Sequence, residues 1–283
     1  MLIILQDHKM LNEKERDWIY CHAYLPEHLP DYVGAVSATE PFLLHNYLFF
    51  LGKKHLILNG YPLKPSPESP AQIYDSICKR YQPSTVAVIA PQIWLPRDQF
   101  EKRSTDSYYR IDLPPVKTDP TVAYMVRRAQ KELQISQGRF GREHKKIIKG
   151  FLATHPLDRE HKFLFKQIPR YLKDSAWAIL LEARKNIDLV AYSILDIGSS
   201  NYAFYLFNFR SRKVNVPGAS DLLFNEMLRV AQSKGKKAIN LGLGINDGIR
   251  RFKEKWGGLP FLSYASALIH REPVNLGGLA KKL

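Results

Sequence analysis

Only two cysteines, Cys21 and Cys78, occur in the 283 residues. That is too few for a disulfide framework, and nothing near either has metal-ligand spacing. No apolar run approaches the roughly 20 residues that a bilayer-spanning helix needs. The opening "MLIILQDHKM" is apolar for only a few residues and carries no cleavable-signal pattern. Nine histidines form no H-E-x-x-H or comparable spacing, so a catalytic metal is not expected. There is no G-x-S-x-G elbow and no Walker loop. Acidic residues are also short: 27 Asp and Glu stand against 42 Lys and Arg, a formal net charge of +15. The expected address is cytoplasmic, with peripheral contact to an anionic membrane compatible with the charge.

What is present is an ordinary globular composition, 45% hydrophobic and 12% aromatic, enough for a sizeable core. A chain of this length makes one large domain or two smaller ones. Its positive excess attracts polyanions such as nucleic acid, phosphorylated ligands or anionic lipid. The charge is clustered: "SQGRFGREHKKIIKG" sets Arg139, Arg142, Lys145, Lys146 and Lys149 against Glu143 alone. A boundary between halves is placed here, giving 1–137 and 138–283.

In the first half, the Pro-containing and His-rich "DWIYCHAYLPEHLPDYVG" resists assignment. "FLLHNYLFFLGKKHLILNGYPL" reads as buried strands around a turn at Gly52–Lys54. A helix is predicted over 70–81, strands over 85–90 and 107–112, and a long helix from about Asp119, whose Val122, Met125, Val126, Ala129 and Leu133 share a face. In the second half, "HKFLFKQIPRYLK" is helical with a kink or stop at Pro169. "AWAILLEAR" and "DLVAYSILDIG" form a hairpin about Lys185-Asn186, and "NYAFYLFNFR" is a third strand. Alternation puts Tyr202, Phe204 and Leu206 on one face of that strand and Tyr205, Phe207 and Phe209 on the other. A helix follows from "VPGASDLLFNEMLRVAQSKG", capped by Ser220 or Asp221, then the strand "KAINLGLG", the helix "NDGIRRFKEKW" and the strand "FLSYASALIH". A meander followed by strand–helix alternation predicts an α/β fold built on a mixed sheet. The first half carries a weaker form of the same ending, as a decayed repeat would.

"VPGASDLLFNEMLRVAQSKGKKAINLGLG" followed by "GIRRFKEKWGG" resembles the carboxy-terminal part of tRNA-dependent aminoacyltransferases within the GNAT superfamily. These are the FemABX peptidoglycan-bridge enzymes and the catalytic domain of phosphatidylglycerol lysyltransferases. The resemblance covers about residues 175–270 and implies tandem GNAT-like halves, the first degenerate. It implies an aminoacyl-tRNA donor, and Lys253, which follows the aromatic Phe252, as the residue that holds the ester carbonyl or the terminal phosphate. Lys253 is expected on the surface, so that Lys253→Ala leaves folding nearly intact.

An ordinary GNAT grips pyrophosphate with a Gln/Arg-x-x-Gly-x-Gly/Ala loop at a helix N-terminus. The matching window here is Asn215–Ser220, which lacks the leading Gln or Arg and holds Pro217, with Asp221 in the first turn. Donor-binding candidates are therefore Gly218, Ser220, Gly242, Gly244 and the basic ridges Arg251 with Lys255 and Arg250 with Lys253. A tRNA acceptor stem would meet those ridges through its phosphates. Acceptor-side candidates are Asp106 and Asp112 with Tyr192, Tyr202 and Tyr205. Two other readings stay open: a GNAT N-acyltransferase using acyl-coenzyme A or an acidic carrier-protein thioester, and a non-enzymatic binder of RNA or anionic membrane.

Overall fold

The protein is described here by a computed structural model covering residues 11–271 apart from 117, 156 and 158, with no side-chain description at 160 and 161. The decapeptide "MLIILQDHKM" lies outside these residues. The prolines of the unassigned opening sit at element starts. Helix α1 (Glu13–His22) is capped by Asn12, whose Oδ1 accepts from the Glu15 amide at 2.9 Å. A 3-10 turn begins at Pro26 and α2 (Pro30–Ser37) at Pro30, positions where the missing N–H has no helical partner to lose.

Three antiparallel strands follow, β1 (Glu40–Leu44), β2 (Tyr47–Leu51) and β3 (His55–Asn59), then α3 (Pro70–Tyr81) and β4 (Thr85–Ala90), which lies parallel to β3. The second half repeats this plan. Strands β7 (Ala178–Lys185), β8 (Asp188–Asp196) and β9 (Tyr202–Arg210) form the meander, α7 (Ala219–Ser233) crosses over, and β10 (Ala238–Leu243) lies parallel to β9. Between the repeats run β5 (Lys102–Asp112), α4 (Pro120–Gln130), β6 (Gln134–Gln137), α5 (Arg142–Leu152) and α6 (Arg159–Asp174). After β10 come α8 (Asp247–Lys255) and β11 (Leu259–His270).

The last strands of the two repeats are exchanged. β5 pairs with β10 of the second repeat, β11 pairs with β4 of the first, and β5 and β11 pair with each other. The result is one sheet of 11 strands in the order β1-β2-β3-β4-β11-β5-β10-β9-β8-β7-β6. Helix α4 packs its predicted face, Val122, Val126 and Ala129, into the cluster formed by α7 and the second-half strands, and β6 pairs with β7. Both lie before residue 138, yet their contacts are with the second repeat.

Two details correct the sequence reading. Helix α6 runs through Pro169 without ending, because Leu164, Phe165, Ile168 and Tyr171 on either side of it are held on one buried face. In β9 the pairing with β8 steps from Phe207↔Ile194 to Tyr205↔Leu195, leaving Leu206 as an extra residue. This bulge reverses the alternation. Tyr205 therefore packs on the α7 side, while Phe207 and Phe209 pack under α5 and α6.

Candidate active site

Strands β9 and β10 pair only from Ala238↔Tyr202 to Asn240↔Phe204, then diverge, although β10 continues to Leu243 and β9 to Arg210. Asn240 causes the parting. Its buried Oδ1 accepts from the Gly242 amide at 2.7 Å, and its Nδ2 donates to the Tyr24 carbonyl at 2.8 Å. The ladder with β5 slips by one residue at this point, and Gly242 takes φ +70°, a left-handed conformation that suits glycine. Asp106 then receives the chain: its Oδ2 accepts from the Ile245 amide at 2.7 Å, and a Cβ on Gly244 would sit 2.7 Å from its Oδ1. Ile245 is held at φ +57° with its side chain largely in solvent, a strained state for a β-branched residue. Asn246 caps α8 by accepting from the Ile249 amide at 3.0 Å.

Helix α8 spends most of its cations on the protein. Lys253 is 3% exposed, so the expectation of a surface lysine is wrong. Its Nζ donates to the Leu243 carbonyl at 2.5 Å and lies 5.6 Å from the centre of the Tyr109 ring. Burial drives its pKa down from 10.5 to about 7, and the Asp106 carboxylate only partly opposes that fall. Lys255 pairs with Asp221 at 2.6 Å. Arg250 pairs with Asp247 at 2.8 Å, and the Arg251 Nε donates to the Asp247 carbonyl at 3.3 Å. The two ridges predicted from helical spacing are thus not equivalent. Lys253 points into the sheet and Lys255 toward α7, leaving Arg250 and Arg251 at the surface. Trp256 is buried, and its Nε1 donates to Asp221 at 3.0 Å.

No family model and no curated protein matches this sequence. Solved structures do. FemX aligns over 97% of this chain and 99% of its own at a TM-score of 0.61 and 11% identity. L-PGS from Bacillus licheniformis aligns over 97% of each chain at 0.57 and 13% identity. A tandem GNAT protein from the clavulanic acid biosynthesis pathway aligns over 95% of this chain and 98% of its own at 0.57 and 11% identity. The fold is that of the tandem GNAT proteins. The two repeats described above are its two GNAT-like halves.

Within this tandem GNAT fold the side chains at and just after the pyrophosphate window are engaged with the protein. Gly218, not Ser220 or Asp221, is the N-cap of α7, with φ +83° and no side-chain cap. A Cβ there would lie 2.4 Å from the Met125 carbonyl of α4, so this glycine is required by helix contact. Ser220 is turned inward, its Oγ donating to Asn208 at 3.1 Å. Asp221, 4% exposed, is committed to Trp256 and Lys255. Aromatic rings of β9, α7 and α8 pack together in the core of this half. Tyr205 lies 5.4 Å from Phe224 and 6.4 Å from Phe252, and Phe224 lies 4.9 Å from Trp256.

The acceptor-side candidates are scattered by the GNAT fold. Tyr192 is fully buried on the opposite face, beneath His144 and Phe209, and lines no groove. Asp112 is exposed and pairs with Arg110 at 2.9 Å, while the Arg110 guanidinium reaches Tyr202 Oη at 3.4 Å. Tyr205 alone of the three tyrosines adjoins α8. Asp106 does reach the α8 region, but as the anchor of the loop at 244–246. Tyr109, whose ring lies under Lys253, was not singled out from the sequence. Its signal is the adjacent pair Tyr108-Tyr109 in β5, which places one ring on each face of the central sheet. Among the described residues no group of His, Cys, Asp or Glu is placed to hold a metal ion, and no helix is long and apolar enough to cross a membrane.

Proposed function

We propose that this protein is an aminoacyltransferase that moves an aminoacyl group from a charged tRNA to an amine or hydroxyl acceptor, by ester aminolysis or transesterification. The observation that carries this reading is the buried ammonium of Lys253 at the end of β10. One of its three protons is given to the Leu243 carbonyl; the reading requires an ester oxygen to enter beside Leu243 and accept another. When the acceptor attacks, the carbonyl carbon gains a bond to nitrogen or oxygen and its oxygen takes up negative charge. A lysine ammonium in a water-poor site stabilises that oxyanion strongly. The bond to the ribose oxygen then breaks. An aminoacyl ester is already activated, so positioning supplies much of the rate and no cofactor is called for.

The donor reading rests on the sequence resemblance and on three further supports. The net charge is +15. The exposed Lys145, Lys146 and Lys149 of α5 have no ion pair among the described residues. The pyrophosphate window lacks the leading Gln or Arg, holds Pro217, and is followed by the Asp221 carboxylate in the first turn of α7, which disfavours coenzyme A. The test is binding of bulk aminoacylated tRNA across a salt series with coenzyme A as competitor. Tight, salt-steep binding that coenzyme A leaves undisturbed is expected. Weak binding, or displacement by low coenzyme A, would overturn the reading in favour of an acyl-coenzyme A or carrier-protein thioester donor.

A further inference from the structure

Helix α5 breaks two local rules at once. Arg142, Lys145, Lys146 and Lys149 are all exposed, and each lies three or four positions from two of the others, a spacing at which like charges repel on a helix. Arg142 also opens the helix, where the dipole disfavours a cation. The fold draws nothing from these four groups, since none has an ion pair among the described residues. The one acid of α5, Glu143, is held by Arg184 at 2.8 Å. The opposite side of the helix does the packing. His144, Ile147 and Ile148 are buried there, and the Phe151 ring lies 5.5 Å from that of Phe209 in β9.

The basic row continues past the helix. A Cβ on Gly150 would lie 4.0 Å from the Arg212 Cδ, so the Arg212 stem runs beside the end of α5. Arg212 and Lys213 are exposed and have no ion pair among the described residues. They belong to the connection from β9 to α7. Because β9 and β10 are parallel, that connection leaves the sheet at the same end as Leu243, whose carbonyl holds Lys253. From Arg142 to Lys149 the row spans about 10 Å, and Arg212 and Lys213 carry it to that end. Helix α8, by contrast, commits Lys253, Lys255 and Arg250 to partners within the protein.

We propose that the face of α5 formed by Arg142, Lys145, Lys146 and Lys149, prolonged by Arg212 and Lys213, seats an RNA sugar–phosphate backbone, and that it holds the donor while α8 serves the chemistry. The second clause rests on the aminoacyltransferase reading. A line of cations matches a line of phosphates, and such contacts position a nucleic acid without reading its bases. Local rules broken with no gain inside the protein mark a surface kept for a partner. The row favours RNA over a lipid surface. A helix that settles into a membrane interface buries large apolar side chains there, and among the described residues none is exposed on α5 or over 211–218.

The test measures binding of bulk aminoacylated tRNA, and of vesicles of phosphatidylserine with phosphatidylcholine, across a salt series. Lys145→Gln/Lys146→Gln/Lys149→Gln neutralises the middle of the row. Lys53→Gln/Lys54→Gln/Lys79→Gln removes the same charge from exposed positions of the first repeat. The α5 triple should lose at least about ten-fold in tRNA affinity, with a log–log salt slope shallower by about 2–3. Its urea midpoint should be no lower than that of the wild type, because the repulsion is relieved. The first-repeat triple should lose less than about three-fold, its charges being screened from the row. Arg212→Gln/Lys213→Gln, outside any helix, should lose about five-fold and decides the matter if the α5 triple folds poorly. Equal losses in the two triples, or none in the row variants, overturn the proposal and leave the donor reading standing. Row variants that keep tRNA but lose the vesicles assign the surface to a membrane and also overturn it. A wild type that does not bind tRNA overturns the donor reading and this proposal with it.

Discussion

Replacing Lys253 by Met keeps the length of the apolar stem and removes the ammonium, which makes it a sharp probe of α8. A pKa brought from 10.5 to about 7 means that the charged form is disfavoured in the fold by on the order of 4 kcal/mol at pH 7. Against this, the Leu243 carbonyl loses its partner, at about 1–3 kcal/mol. The variant should therefore be more stable than the wild type at pH 7 by about 1–3 kcal/mol. The sign of the pH dependence is fixed. The folded pKa lies below the unfolded one, so between about 7 and 10.5 the unfolded chain holds more protons and wild-type stability rises with pH. The variant's advantage should be complete below pH 7, shrink as the pH rises, and turn into a deficit of about 1–3 kcal/mol above 10.5, where only the lost hydrogen bond to Leu243 remains. Urea unfolding at pH 6, 7, 9 and 10.5 measures it, and the same samples should lose about 10²–10³-fold in transfer. A stability difference that is zero or flat with pH would refute the desolvation argument. Undiminished transfer would remove Lys253 from the chemistry.

Gly218→Ala forces a Cβ to 2.4 Å from the Met125 carbonyl at φ +83°, so a loss of more than about 2 kcal/mol is expected in thermal or urea unfolding. Asp221→Ala leaves Trp256 Nε1 and Lys255 without their buried partner, and about 3 kcal/mol should be lost, read by urea midpoint and Trp fluorescence. Tyr192→Phe removes a buried hydroxyl that has no partner among the described residues. It should be neutral or stabilising by about 1 kcal/mol and leave transfer unchanged. Ile245→Gly relieves a β-branched residue at φ +57° and should stabilise by about 1 kcal/mol, with any fall in transfer showing that the loop's shape is used.

Much of the fold was legible because its signals are local. The helix at 70–81 and the strand at 85–90 carry their own caps and periodicity, and both stand where the pattern put them. The bulge at Leu206 was not legible, since one unpaired residue reverses the faces of a strand without altering its composition. The exchange of β5 and β11 was hidden for a related reason: a strand's sequence states that it is covered on two faces, not which neighbours cover its edges. At the site, the pattern put Phe252 and Lys253 on one helix, as observed, while Trp256 falls just past its end as the C-cap. Whether Lys253 faces water depends on Leu243 and Tyr109, which lie on other elements.

The exchanged strands also bear on how the chain is made. Synthesis delivers β4 early, yet the partner that closes its edge, β11, begins at Leu259. The first repeat therefore waits with a β-branched strand edge open while well over a hundred residues are added, the kind of edge that pairs with other chains when left uncovered. Neither repeat can finish its sheet alone, so cutting the chain between them should yield two pieces that aggregate separately and recover only when mixed. Because each half holds the other's final strand, the two should unfold together as one cooperative unit.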